Sequence, residues 1–211
     1  AGFTSHVEME HLWEFLFDTN FIYSRKYQLL QPFCEEFKET YRKLYQEDQD
    51  IEAHFTYQRN GRIYGHVSIF RAYQRAWMVH HLAARPLNGK RTGLTVLKNV
   101  LQFFNGLYRY PSIRMDYMLF YFRPENRFPD LFFGGFARDL RNPRACSLDL
   151  FAYLSYPTDH GQRPLPQGWQ LADFTSSHLP ELERFYRRAS GGLMLDALPF
   201  ASRIDFYMEL L

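Results

Sequence analysis

The spacing of apolar residues changes period twice along this chain. Val7, Met9, Leu12, Trp13 and Leu16 recur at helical intervals. They predict a helix over residues 5–17, with Ser5 and Glu8 as a capping box. Phe33, Phe37, Tyr41 and Leu44 form a second stripe. It predicts a helix from Pro32 to Tyr45, with Pro32 in the first turn and Glu35 and Glu36 at its acidic start. The period then drops to two. Ala53–Arg59 reads as a strand, Asn60-Gly61 as a tight hairpin turn and Ile63–Tyr73 as the return strand. Gln74-Arg75 makes a short connection into a third strand, Trp77–Ala84. No strand is evident before the two helices.

Helical spacing returns at Leu94, Leu97, Leu101 and Phe104, backed by Val96, Val100 and Leu107. It predicts a helix over Thr92–Tyr108. Met115–Phe122 follows as a strand apolar enough to be buried on both faces. Strand, crossover helix and strand make a parallel pair. Asn126–Phe133 reads as a short helix stopped by Gly134-Gly135, and Cys146–Leu154 as a last strand. The expected fold class is α+β: a mostly antiparallel mixed sheet with a central parallel strand pair and flanking helices. Residues 1–154 form this domain. Pro157, Gly161, Pro164, Pro166 and Gly168 mark residues 155–168 as a linker. Trp169–Phe174 then reads as a strand, and Ser177 caps a helix with Pro180 in its first turn and Gly191-Gly192 at its end. Residues 169–211 are either the start of a second βα unit or a segment completing the first sheet, within the chain or by exchange.

Composition narrows the function classes. Hydrophobic residues make up 46% and aromatics 18% of the 211 residues, so a packed core is expected. A net charge of +2 argues against nucleic acid as a partner. Cys34 and Cys146 stand in no metal-ligand spacing. Free thiols, no signal peptide and no apolar run near the ~20 residues of a membrane helix point to a cytoplasmic protein away from membranes. The start at Ala1 and the stop at Leu211 inside an apolar segment suggest a piece of a longer chain.

Between the third strand and the next helix lies Arg85-Pro86-Leu87-Asn88-Gly89-Lys90-Arg91-Thr92-Gly93. A basic, glycine-containing turn at a helix N-terminus suits a phosphate or pyrophosphate. This turn, in this order of elements, resembles the GNAT superfamily of acyl-CoA-dependent N-acyltransferases over roughly residues 5–154. Its signature turn, Arg/Gln-x-x-Gly-x-Gly/Ala, cradles the pyrophosphate of coenzyme A. Gly89 and Gly93 match, and Lys90 supplies charge. Arg91 stands where the family prefers glycine, and either adds a phosphate contact or blocks close approach. Downstream, Asn126 and Gly134-Gly135-Phe136 look like the family's Asn…Tyr-x-x-x-Gly-Phe stretch. The tyrosine of that pattern, a general acid toward the thiolate, falls on Leu131. Tyr117 or Tyr121 is the substitute. The tail after residue 168 resembles the opening of a second GNAT domain, as in a tandem protein.

The resemblance implies acetyl-CoA or another acyl-CoA as cosubstrate. It would be held by the backbone of Leu82, Ala83 and Ala84, by Asn88, Gly89, Lys90, Arg91, Thr92 and Gly93, and by Asn126. It implies transfer to an amine, on a small molecule or a peptide, by direct attack without a covalent enzyme intermediate. A base is needed for the amine. His80 and His81 are adjacent on a strand and so face opposite sides, one of them toward the cleft. Either suits the task, beside the plainer reading of a hydrogen-bonded structural histidine. Glu125 is a candidate proton relay, and Arg85 either fixes the turn or reaches the cofactor. His6, His11, His54 and His66 have no spacing that argues for a metal, and no metal is expected. The alternative is a catalytically degenerate GNAT-like module that binds a ligand or a protein. Contact with a second copy or a tandem domain stays open.

Overall fold

The computed structural model describes residues 2–47, 51–86, 92–107, 114–152 and 165–198. They divide into two compact units, Ala1–Tyr121 and Phe122–Leu211. The first carries a five-stranded sheet in the order β1 (Gly2–Thr4), β2 (Glu52–Arg59), β3 (Arg62–Tyr73), β4 (Ala76–Ala84), β5 (Tyr117–Phe120). All neighbours are antiparallel except β4 and β5. A meander followed by a crossover helix and a parallel strand gives the mixed α/β class expected from the sequence. The parallel pair stands at one edge of the described sheet.

Helices cover both faces. α1 (Met9–Asp18), α2 (Ser24–Leu30) and α3 (Cys34–Gln46) belong to one layer. Leu12, Phe15 and Leu16 of α1 are almost wholly buried there with Tyr45, Ile63 and Ala83. α4 (Thr92–Leu107) puts Val96, Val100 and Phe104 onto Val67, Ile69 and Val79 of the other face. Each such side chain contributes roughly 1.5–3 kcal/mol on leaving water. Among the described residues, no helix is long and apolar enough to cross a membrane.

Several local expectations need correction. A first strand exists: β1 pairs Gly2–Thr4 with Thr56–Gln58 of β2. It was invisible because three residues carry too little pattern. The Ser5–Glu8 capping box does not form. Glu8 itself is the N-cap, without a side-chain cap bond, and α1 begins at Met9. Pro32 lies in a 3₁₀ turn, Gln31–Phe33, that leads from α2 into α3. The Asn60-Gly61 turn is as expected, with both residues at positive φ (51° and 72°). β5 is four residues long and only half-buried, rather than buried on both faces over Met115–Phe122.

In the second unit the helix expected to stop at Gly134-Gly135 runs through them. α5 (Arg127–Pro129) passes into a π-helical turn, Asp130–Gly134, and on into α6 (Gly135–Leu140). It ends at Arg141, at φ 51°. A Cβ on Gly134 would press on Asp130 Oδ1 at 2.8 Å and Arg138 Nη1 at 3.0 Å. The glycine therefore serves close packing of that ion pair rather than termination. The expected strands at Cys146–Leu154 and Trp169–Phe174 are absent over residues 146–152 and 169–174. Thr175, not Ser177, closes the capping box, on a 3₁₀ turn (Ser176–His178) that leads into α7 (Leu179–Ser190). Gly191 ends α7 at φ 86°, and α8 (Leu193–Ala197) follows.

Candidate functional site

The site is built where β4 leaves β5. The parallel ladder runs from Ala76/Tyr117 to Val79/Phe120 and stops. β4 continues beside β3 to Ala84. Over His80–Ala84, β4 has no strand partner on its β5 side among the described residues. A strand with one free side offers backbone donors and acceptors to a ligand.

A bulge sits at the start of this free stretch. Ser68 pairs with His80 and His66 with Ala83, so two β4 residues, His81 and Leu82, oppose Val67 alone. His81 takes φ 51°, a left-handed conformation that costs a non-glycine residue about 1 kcal/mol or more. Strict alternation is thereby broken. The expectation that His80 and His81 face opposite sides is incorrect: their ring centroids lie 4.2 Å apart. The buried His66 fixes the bulge, its Nδ1 donating to the His81 carbonyl at 3.2 Å.

His80 meets two side chains from neighbouring strands. Glu52 on β2 is 2% exposed. Its Oε1 accepts from Ser68 Oγ at 2.7 Å and lies 3.0 Å from His80 Nε2. Ser68 Oγ and His80 Nε2 are also in short contact. Because the Ser68 proton points at the carboxylate, His80 Nε2 carries the proton on this side. Ser68 is therefore not activated as a nucleophile, since a base must present a lone pair to the hydroxyl. The other nitrogen, Nδ1, keeps its lone pair, and the Glu52 carboxylate lies beside the ring.

His81 is engaged on both nitrogens. Nε2 lies 3.0 Å from the Tyr41 hydroxyl and Nδ1 3.3 Å from that of Tyr45. Phe21 packs edge-on against the ring, with centroids 5.0 Å apart. Burial and the neighbouring His80, His66 and Lys26 keep this imidazole neutral, well below the ordinary histidine range. Burial likewise lowers His54 to about 4 and holds His66 well below the ordinary histidine range. Burial raises Tyr41 to about 12 and Tyr45 also well above its usual value. His54 stacks on Tyr45 with centroids 4.0 Å apart. Four of the eight histidines thus meet in one polar and aromatic layer under α3.

The remaining expected residues are distributed as follows. Leu82, Ala83 and Ala84 form the end of β4, with Ala83 buried. Asn88, Gly89, Lys90 and Arg91 lie outside the described residues. Thr92 and Gly93 open α4, and Thr92 is buried. Tyr121, just past β5, is 60% exposed. Glu125 and Asn126 are exposed residues of the second unit, in a turn and at the N-cap of α5. Leu131, at the family's tyrosine position, is 78% exposed in that unit. Arg85 belongs to the end of β4: its Nη2 pairs with Asp18 at 3.1 Å and its guanidinium lies 5.0 Å from the Phe15 ring. Elsewhere in the first unit, a groove of about 680 Å³ is lined by His6, Glu8, Glu10, His11, Arg42 and neighbours, none of them expected at the site.

No family model matches the chain, and no curated protein matches it. Several solved structures show similarity, among them the following three. The PaiA N-acetyltransferase from Thermoplasma acidophilum, in complex with coenzyme A, is 14% identical. That match covers 51% of this chain and 73% of that one, at a TM-score of 0.42. Glucosamine-6-phosphate N-acetyltransferase from Arabidopsis thaliana is 14% identical over 75% of this chain and 100% of its own, at a TM-score of 0.41. An integron cassette protein from the mobile metagenome of V. cholerae is 11% identical over 86% and 96%, at a TM-score of 0.39.

Proposed function

We propose that this chain is an N-acyltransferase that moves an acetyl or other acyl group from acyl-CoA to an amine by direct attack. The observation that carries this reading is the parting of β4 from β5 after Val79, beside the Glu52–Ser68–His80 group. The free edge of β4 over Leu82–Ala84 would hold the acyl-CoA, with the N-terminus of α4 next along the chain. The bound thioester would supply an activated carbonyl. His80 Nδ1 would take a proton from the attacking amine, and the His80 Nε2–H would stay bonded to Glu52 and Ser68. A buried carboxylate beside the imidazolium lowers the barrier because the charge forms where a counter-charge already stands.

Isothermal titration with acetyl-CoA tests the reading. Saturable binding is expected at submillimolar ligand, and none at millimolar ligand would sink it. The second test is turnover with polyamine, peptide, lysine and aminoglycoside acceptors. Glu52→Gln keeps the shape and the Ser68 acceptor but removes the charge. It is expected to leave acetyl-CoA binding intact and lower kcat about 100-fold or more.

One observation favours the alternative of a non-catalytic binding module: Leu131 stands exposed where a general acid is expected. Arg91→Gly separates the two. In a working cradle the change leaves acetyl-CoA binding nearly unaltered. If Arg91 plugs the turn, the change creates or tightens binding.

A further inference from the structure

The bulge in β4 turns one peptide toward a side chain. Val67 alone opposes His81 and Leu82, and the His81 carbonyl accepts from His66 Nδ1 at 3.2 Å. A carbonyl only accepts, so His66 carries a proton on Nδ1. Its Nε2 is buried without a partner, and the whole residue is 0% exposed. A neutral His66 therefore has a single N–H, and it is given to this carbonyl. A trans peptide holds its C=O and N–H antiparallel. The His81–Leu82 peptide is trans, and its carbonyl is directed at His66 on β3. Its N–H, that of Leu82, is thus directed away from His66, toward the side on which β4 has parted from β5. Regular pairing beyond Ser68/His80 would set Leu82 opposite His66 in place of Ala83. It would exchange the faces of Leu82–Ala84.

We propose that His66 is the positioning residue of the free edge of β4. Its one N–H holds the His81–Leu82 peptide in the turned state and so sets which backbone groups the edge offers over Leu82–Ala84. That the ligand of those groups is an acyl-CoA rests on the acyl-transfer reading; the aim of the peptide does not. His66 acts through the backbone alone. Without its donor, the left-handed conformation of His81 loses its compensation, and the carbonyl is left unpaired beside a buried ring. The requirement is narrow: an uncharged side chain with one donor two bonds beyond Cβ. Asparagine meets it, because its amide nitrogen stands as many bonds from Cα as histidine Nδ1. Leucine occupies the space and offers no donor.

Nuclear magnetic resonance of the full chain, labelled with ¹⁵N and ¹³C, tests this at pH 7. In the wild type, a long-range ¹⁵N–¹H correlation should show His66 protonated on Nδ1 and bare on Nε2. His81 should give the strong contact between its own amide proton and Hα that a left-handed residue produces. An Nε2–H tautomer at His66, or a weak contact at His81, overturns the proposal whether or not any variant folds. His66→Leu should lose the His81 contact and bind acetyl-CoA about tenfold more weakly by calorimetry. His66→Asn should keep both. Each variant loses ring volume, so an equal loss of affinity in the two would reduce His66 to packing and overturn the proposal. So would a His66→Leu chain that keeps the His81 contact. His54→Phe, a change at another buried histidine of the same layer, should leave the affinity unaltered. A wild type that shows the His66 tautomer and the His81 contact but binds no acetyl-CoA would uphold the positioning role and remove the acyl-transfer reading.

Discussion

The unfolding free energy of the chain is expected to fall steeply as the pH drops from 6.5 toward 4. His54, His66 and His81 are held neutral in the folded state, chiefly by burial. In the unfolded chain each returns to about 6.5. The unfolded state therefore binds more protons throughout this window, and stability is lost as the pH falls. For His54 the gap between 6.5 and about 4, at about 1.4 kcal/mol per pH unit, amounts to about 3 kcal/mol. Burial moves His66 and His81 in the same direction, so both add to the slope. For a domain with roughly 5–15 kcal/mol in hand, the His54 contribution alone is a large share of the total. The bonding explains why accommodation is hard. His66 Nδ1 already donates to the His81 carbonyl, and His66 Nε2 and His54 Nδ1 are buried without an acceptor. A proton added there makes a buried cation with an unpaired N–H. Urea titrations followed by circular dichroism at pH 7, 6, 5 and 4.5 measure the slope. A flat profile across that range would refute the assignment of neutral histidines. His54→Phe, which keeps a ring on Tyr45, should reduce the slope by about 1.4 kcal/mol per pH unit.

The second large effect is expected at Gly65. It lies in β3 under the first turns of α4, and a Cβ there would fall inside the van der Waals envelope of Val96 Cγ2. Val96 is fully buried, and its β-branched side chain has essentially one rotamer in a helix. The clash therefore moves the helix rather than the side chain. Gly65→Ala should cost about 1–3 kcal/mol by denaturant melting. It should also weaken acetyl-CoA binding, because the displaced end of α4 borders the proposed cradle. Val96→Ala alone leaves a cavity and destabilises as well. The double variant should be more stable than the two single losses predict together, because the new methyl fills the space vacated. Strict additivity would mean that Gly65 is not there for this contact.

The meander was legible in the sequence because alternation and Asn60-Gly61 are local signals. α2 was not, since Tyr23–Leu30 buries no side chain and presents no stripe. The cluster around His80 was missed for a different reason. Glu52, His54 and Thr56 alternate with Ala53, Phe55 and Tyr57 along β2, a pattern that normally places the polar set in water. Here α3 covers that face, so the polar residues are internal and find one another across strands. The helix stripe containing Tyr41 had implied a second covered face, and reading the two together would have pointed inward. The bulge at His81 could not be read at all. It arises from pairing between strands, and a shift of one residue exchanges the faces of everything beyond it.

β1 also has a temporal consequence. Its residues bond to a strand about fifty positions downstream: Thr56 Oγ1 donates to the Thr4 carbonyl, and Gln58 Nε2 to that of His6. On a ribosome adding roughly 5–20 residues per second, β1 waits several seconds for its partner. Until β2 and β3 emerge and close their hairpin, β1 has no edge to join. β1 is thus among the last parts of the sheet to be placed, and the free edge of β2 stays open to pairing with other nascent chains during that interval.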